Sequence, residues 1–296
     1  MSDEMARVLQ ILGAMPRNDD ATPVERRLEM DGLSGAAPMA EGTEVEVVDA
    51  NGVPGQWLRP PNGVDAAALL YLHGGGYCVG SVISHTPLVS KLAAAAGIPA
   101  LIVDYRLGPE HPFPAAVDDA VTAFRWLVAQ GLSPGRIAVA GDSAGGGLTL
   151  ATLLALRAAG DAPPGAAACM SPWTDLTMSG PSMDANVDRD PMLDRPRLQT
   201  YADWYLGPDG DPTDPLVSPR FADLAGLPPV VIHAADDEVL LDDARLVAEA
   251  IDAAGGTVEY RTWPGAFHVF HATAGLVPEA GEAVAAMGAF LRRHLA

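Results

Sequence analysis

A serine sits between glycines in Gly141-Asp142-Ser143-Ala144-Gly145, behind a run of β-branched and small apolar residues, 137–140, and ahead of a helix-compatible stretch, 148–158. Strand, tight turn and helix in that order hold the central side chain out at the corner in a strained backbone conformation. Small residues on either side let neighbouring segments approach. A helix starting at the serine also turns its free amides and the positive end of its dipole toward negative charge developing there. The chemistry this invites is nucleophilic attack on a carbonyl carbon. A serine hydroxyl does that poorly unless a base takes its proton and a third group orients the base.

For a serine at such a corner, the acid and then the histidine are expected further along the chain. Four histidines follow Ser143: His233, His268, His271 and His294. His294 lies in the terminal helical stretch and reads as a surface residue. His233 falls inside an apolar run, 230–234, where its side chain would face a layer of the sheet. His268 follows the loop Trp263-Pro264-Gly265-Ala266-Phe267, which could swing an imidazole over the corner. His271, one helical turn later, is the weaker competitor. The acid belongs in the loop after the penultimate strand, where Ala235-Asp236-Asp237-Glu238-Val239-Leu240-Leu241-Asp242-Asp243 offers several carboxylates. Asp242 and Asp243 read as the solvated first turn of a helix, favoured by its dipole. Asp236 and Asp237 both stand at the strand's carboxyl end, and spacing does not separate them.

An attacked carbonyl also needs donors for its oxyanion. His73-Gly74-Gly75-Gly76-Tyr77 follows a buried apolar run, and its successive glycines leave backbone amides able to approach a substrate. With the Ala144 amide they could hold a tetrahedral oxyanion, where one donor is worth roughly 3–4 kcal/mol of barrier. A phosphate cradle is disfavoured, because no Lys-Ser/Thr follows the glycines and no Gly-x-Gly-x-x-Gly precedes a suitably placed acid.

The elements that must position these groups alternate along the chain. Residues 44–48 alternate polar and apolar, Asn51-Gly52 signals a turn, and 55–59 read as the antiparallel return strand. Residues 66–72, 99–103, 136–140, 165–170, 229–234 and 257–263 read as further strands. Helical patterns cover 87–96, 114–130, 240–254 and 279–294, with Pro114 in a first turn and Gly131 just past an end. This specifies an α/β fold with a mostly parallel sheet and helices on both faces. Two stretches break the rhythm. Residues 1–43 hold a short amphipathic segment, 5–15, then a polar, proline-containing stretch. Residues 172–226 are rich in Pro, Asp and Gly, with Trp173, Tyr201, Trp204 and Tyr205 interleaved and one helical stretch, 195–206. These aromatics suit a lid packed against the N-terminal segment.

With 38 acidic against 18 basic residues in 296, the formal charge is −20, which argues against nucleic acid and anionic membranes as partners. The acid excess and the single lysine, Lys91, read as compositional drift rather than salt adaptation. No apolar run approaches a membrane span, and the acidic start lacks the pattern of a secretory signal, so a cytoplasmic location is expected. Cys78 and Cys169, far apart and without metal spacing, read as reduced core residues.

Taken together, the motifs resemble the bacterial hormone-sensitive-lipase-like esterases of the α/β-hydrolase fold. The matching stretches are His73-Gly74-Gly75-Gly76-Tyr77, the run from Asp104-Tyr105-Arg106 through Phe113-Pro114-Ala115-Ala116, Gly141-Asp142-Ser143-Ala144-Gly145-Gly146, Asp237-Glu238-Val239-Leu240 and Pro264-Gly265-Ala266-Phe267-His268. The resemblance implies Ser143, Asp237 and His268 as the catalytic triad, which selects Asp237 over Asp236. It places the oxyanion amides on Gly75, Gly76 and Ala144, and gives His73 the task of bracing the glycine loop. It further implies a helical cap from residues 1–43 and 172–226 over a hydrolase core of residues 44–171 and 227–296. Gly108 and Ala235 stand where Ala and Gly are usual, small changes that leave the chemistry in place. The expected activity is hydrolysis of short- to medium-chain carboxylic esters or small lactones, with no metal or organic cofactor and a small molecule as partner. A homodimer is compatible with this fold. The rival readings are a catalytically silent small-molecule receptor, which would lack the base, and an amidase or peptidase using the same triad.

Overall fold

The computed structural model describes residues 1–16, 18–35 and 37–295. Apolar runs become strands Glu44–Asp49 (β1), Pro54–Arg59 (β2), Ala68–Leu72 (β3), Ala100–Val103 (β4), Ile137–Asp142 (β5), Ala166–Met170 (β6), Val230–Ala235 (β7) and Val258–Trp263 (β8). They form one eight-stranded sheet in the order β1-β2-β4-β3-β5-β6-β7-β8. β2 pairs antiparallel with both β1 and β4, and the remaining pairings are parallel. The helices are Asp3–Ala14 (α1), Pro23–Ser34 (α2), Val82–Ala96 (α3), Ala115–Ala129 (α4), Ala144–Ala159 (α5), Ser182–Ala185 (α6), Arg195–Leu206 (α7), Leu241–Ala253 (α8) and Pro278–Leu295 (α9).

The two-residue period of a strand splits the core into two layers. From β3, Leu69 and Tyr71 join Leu88, Val89 and Leu92 of α3 and Met287 and Phe290 of α9. Leu70 and Leu72 point the other way, to Phe124 of α4, Leu148 of α5 and Val247 of α8. Each such side chain, fully buried, contributes ~1.5–3 kcal/mol relative to exposure. Among the described residues no helix is long and apolar enough to cross a membrane.

The sheet order also fixes where chemistry can sit. β3 lies between β4 and β5, so the chain winds outward in one direction after β3 and in the other after β4. The crevice at the carboxyl ends of β3 and β5 is therefore a topological switch point, the usual ligand site of such sheets. The glycine loop leaves β3 there and Ser143 follows β5.

Three expectations need correction. Residues 16–40 are not simply a connecting stretch, because α2 forms within them. Thr22 caps it: its hydroxyl accepts from the Glu25 amide while the Glu25 carboxylate accepts from the Thr22 amide. α3 begins five residues before Pro87, at a cap where Ser81 and Ser84 exchange the same pair of bonds. Asp242 and Asp243 are buried rather than solvated. Asp243 accepts the amides of Thr174 and Asp175, both at 2.8 Å, and so pins the segment after β6. Arg17, Ala36 and Ala296 lie outside the described residues, the first two within the expected N-terminal cap segment.

Candidate active site

Ser143 occupies the corner between β5 and α5 with φ 52° and ψ −122°, a left-handed backbone that a serine adopts only under constraint. Its amide donates to the Met170 carbonyl (2.8 Å) and its carbonyl accepts from the Trp173 amide (2.9 Å), which holds the corner. The glycine after it permits the close crossing: a Cβ on Gly145 would stand 2.0 Å from the Leu72 carbonyl oxygen.

His268 reaches Ser143 from the loop after β8. Its Nε2 lies 2.9 Å from Ser143 Oγ and its Nδ1 lies 2.6 Å from Glu238 Oε2. The neighbouring Val269 is held in a left-handed conformation, φ 54°, with its amide donating to Ser171 Oγ at 3.1 Å. Burial pushes the His268 pKa down, but the hydrogen bond and charge of Glu238 outweigh it, and the net shift is upward. This is the arrangement in which a base takes the serine proton and the resulting imidazolium is stabilised.

The carboxylate that faces His268 is therefore that of Glu238, and not that of Asp237, which the resemblance implied. Asp237 turns outward to Arg189, 2.8 Å away. After β7 the chain makes a tight turn, and Glu238 Oε1 accepts the Ala235 amide at 2.9 Å while Oε2 faces His268. Residues from 172–226 secure this turn: Asn186 Nδ2 donates to the carbonyls of Asp236 and Glu238, and Asp190 accepts the Val239 amide. A signal for Glu238 was present in the sequence. It is the last acid before the apolar pair Val239-Leu240, so it marks where the chain re-enters the core.

The other histidines stand where their surroundings forbid the same task. His233 Nδ1 and His271 Nε2 are 3.3 Å apart in the core. Burial, helped by Arg261, lowers His233 to about 3. Burial and then His233 hold His271 well below its ordinary value. His294 packs on Phe290, half-buried.

The glycine loop lies opposite. Gly75 and Gly76 have φ of +117° and +59°. Among the described residues the amides of Gly75, Gly76 and Ala144 have no backbone acceptor, so they are free to donate to a ligand. His73 Nδ1 lies 2.8 Å from the Gly74 carbonyl oxygen, and its ring stacks on Tyr105. Over the loop, Tyr201 of α7 closes on Gly76, where a Cβ would meet the ring at 2.6 Å. Tyr77 stacks on Tyr205 of the same helix at 3.9 Å. Burial raises the Cys78 and Cys169 thiols to about 12, so neither is a nucleophile at neutral pH.

Sheet, corner serine and glycine loop define an α/β hydrolase, and the comparisons with known proteins agree. The family model described as alpha/beta hydrolase fold matches residues 69–272. The chain belongs to the bacterial hormone-sensitive-lipase-like esterase family of α/β hydrolases. It is 44% identical to an acetyl-hydrolase of Streptomyces hygroscopicus over 98% of this chain and 95% of that one. It is 38% identical to the carboxylesterase NlhH of Mycobacterium tuberculosis (strain ATCC 25618 / H37Rv) over 77% of this chain and 73% of that one. The crystal structure of an esterase from the bacterial hormone-sensitive lipase family superimposes with a TM-score of 0.96 at 41% identity, covering 100% of this chain and 99% of the other.

Proposed function

We propose that this carboxylic ester hydrolase works as a serine esterase on short- to medium-chain esters or small lactones, through an acyl-enzyme. The observation that carries the reading is the continuous chain from Ser143 Oγ through His268 to Glu238 at 2.9 and 2.6 Å. Ser143 Oγ attacks the ester carbon as its proton passes to His268 Nε2. The amides of Gly75, Gly76 and Ala144 take the oxyanion. The C–O bond then breaks, and the imidazolium gives its proton to the departing alcohol. Water, deprotonated by the same nitrogen, attacks the acyl carbon, the bond to Ser143 Oγ breaks as Oγ takes that proton back from His268, and the acid leaves.

Residues 1–43 and 172–226 act as the cap. Its helix α7 places Tyr201 above Gly76, which restricts the room at the oxyanion and favours small acyl groups. The free, buried Cys78 and Cys169 suit a reducing, cytoplasmic setting.

The test is hydrolysis of p-nitrophenyl esters from acetate to palmitate by the native protein and Ser143→Ala. Rates should peak at short chains and fall by at least ~10⁴-fold in the variant. Equal rates in both proteins would remove Ser143 from the nucleophile's role. No turnover by either folded protein would favour the silent receptor, and comparable rates on matched anilides would favour an amidase.

A further inference from the structure

Behind the nucleophile lies a buried polar cluster that the reaction just described does not use. Asp142, the last residue of β5, sends its carboxylate beneath the glycine loop. Its Oδ1 accepts from Tyr71 Oη at 2.7 Å and from the Gly74 amide at 3.1 Å. Its Oδ2 faces His85 Nε2 of α3 at 3.3 Å, and His85 Nδ1 lies 2.9 Å from Ser84 Oγ. A Cβ on Gly74 would stand 2.2 Å from Asp142 Oδ2, so the carboxylate fills the space directly under that residue. The His73 ring lies 5.3 Å from that of His85 and stacks on Tyr105, whose hydroxyl donates to the His73 carbonyl at 2.6 Å. Asp142, His85 and Tyr71 are all almost fully buried.

A buried ion pair does little for stability when compared with an apolar pair of the same shape, and its better-attested use is to specify one geometry. Here the geometry specified is that of a loop carrying two of the oxyanion donors. We propose that His85 and Asp142 are positioning residues for ester hydrolysis: the Asp142 carboxylate, clamped by His85 and Tyr71, anchors the Gly74 amide and so sets where the Gly75 and Gly76 amides point relative to Ser143. This rests on the esterase reading given above.

The charges suit the task. Burial opposes ionisation of Asp142, but His85 and the hydrogen bonds from His85 and Tyr71 prevail and bring its pKa to about 2. His85 moves upward for the reciprocal reason, again against its burial. His73, lowered to about 3 by burial and then by the His85 charge, stays neutral beside them. Both shifts favour the ionised pair. One link in the sequence makes it: β5 delivers Asp142 to the loop and Ser143 to the substrate as adjacent residues, so the two halves of the site share one rigid strand end.

The test uses His85→Gln, which removes the counter-charge, and Tyr71→Phe, which removes one hydroxyl. A trifluoromethyl ketone matched to the preferred ester serves as transition-state probe, because Ser143 adds to its carbonyl carbon and leaves an oxyanion in the hole. The corresponding secondary alcohol serves as the ground-state probe. Displacing oxyanion donors by a fraction of an ångström should lower kcat of His85→Gln by roughly 10- to 100-fold, with KM changed less than about twofold. Affinity for the ketone should fall by the same factor as kcat/KM, while affinity for the alcohol stays constant. Tyr71→Phe should show the same proportionality over a few-fold range, and it decides the matter if His85→Gln does not fold. A kcat and ketone affinity left intact while the melting temperature drops would overturn the proposal, as would a rise in KM alone. Failure of the esterase reading would look different, since Ser143→Ala would then match the native protein.

Discussion

Glu238 and Asp237 are neighbours with opposite surroundings. The first has both carboxylate oxygens engaged, one by the Ala235 amide and one by His268; the second pairs with Arg189 at the surface. Glu238→Gln should therefore lower kcat by ~10³–10⁴-fold, the loss seen when the orienting acid of such a triad becomes an amide. Asp237→Asn should change it less than about fivefold, as for an exposed ion pair. Steady-state kinetics on p-nitrophenyl butyrate separates the two, and a large loss in Asp237→Asn alone would reverse the assignment. The same pair sets a pH dependence. His268 must be neutral to accept the serine proton, and Glu238 raises its pKa, so the acid limb of kcat/KM should lie above 6.5 in the native enzyme. The residual activity of Glu238→Gln should show that limb at lower pH. Ser143 and His268 were legible from residue order because each stands just beyond a strand-like run. Glu238 was not, since choosing among adjacent acids requires knowing which way the turn between β7 and α8 faces its side chains.

At the level of elements, the N-terminal segment is joined to the core through Arg27 of α2. Its Nε donates to the Cys78 carbonyl and its Nη2 to the Gly108 carbonyl, both at 2.8 Å, and the same guanidinium pairs with Glu110 at 2.6 Å. The adjacent Arg26 lies 5.5 Å over the rings of both Tyr201 and Trp204 in α7. α2 thus couples the glycine loop to the insertion between β6 and β7. Arg27→Ala should cost ~1–3 kcal/mol in stability, because two buried carbonyls lose a charged donor. It should also raise KM several-fold and open the N-terminal segment to protease. Urea unfolding, kinetics and timed proteolysis measure the three effects, and unchanged cleavage would mean that α2 is held by other contacts. The strands were legible because their apolar runs are continuous. α2 was obscured by its polar composition, with a low apolar content on every face, although Thr22-Pro23-Val24-Glu25 carries the start signal that its capping bonds later use. Asp243 was misread as solvated because sequence does not reveal that the segment after β6 folds back over the start of α8.

Across the whole molecule, protons rather than apolar area should set the acid limit. His73 and His233 are held near 3, and His271 is also far below its ordinary value, all chiefly by burial. Unfolded, each takes up a proton near pH 6.5. The unfolded chain therefore binds more protons than the folded one between about pH 6.5 and 3, and stability falls as pH drops through that window. His85 and His268, shifted upward, are protonated in both states there and add no slope. Asp243, raised by burial, opposes the trend by one proton over part of the range. Two to three protons correspond to ~3–4 kcal/mol per pH unit. The urea midpoint should fall steeply from pH 7 to 5, and a flat profile would mean that these imidazoles accept protons inside the fold.

Every group assigned to chemistry leaves the carboxyl end of a strand: the glycine loop from β3, Ser143 from β5, Glu238 from β7 and His268 from β8. The amino ends of β3, β5, β6 and β8 are fed by turns near Asn62-Gly63, Leu132-Ser133, Pro163-Pro164 and Gly255-Gly256. The molecule thus has a working face at the carboxyl ends of these strands and a handling face at their amino ends. Tethering it to a support through the handling face would orient every copy with its mouth toward the solution. Extra chain grafted at those turns would stay clear of the substrate's path.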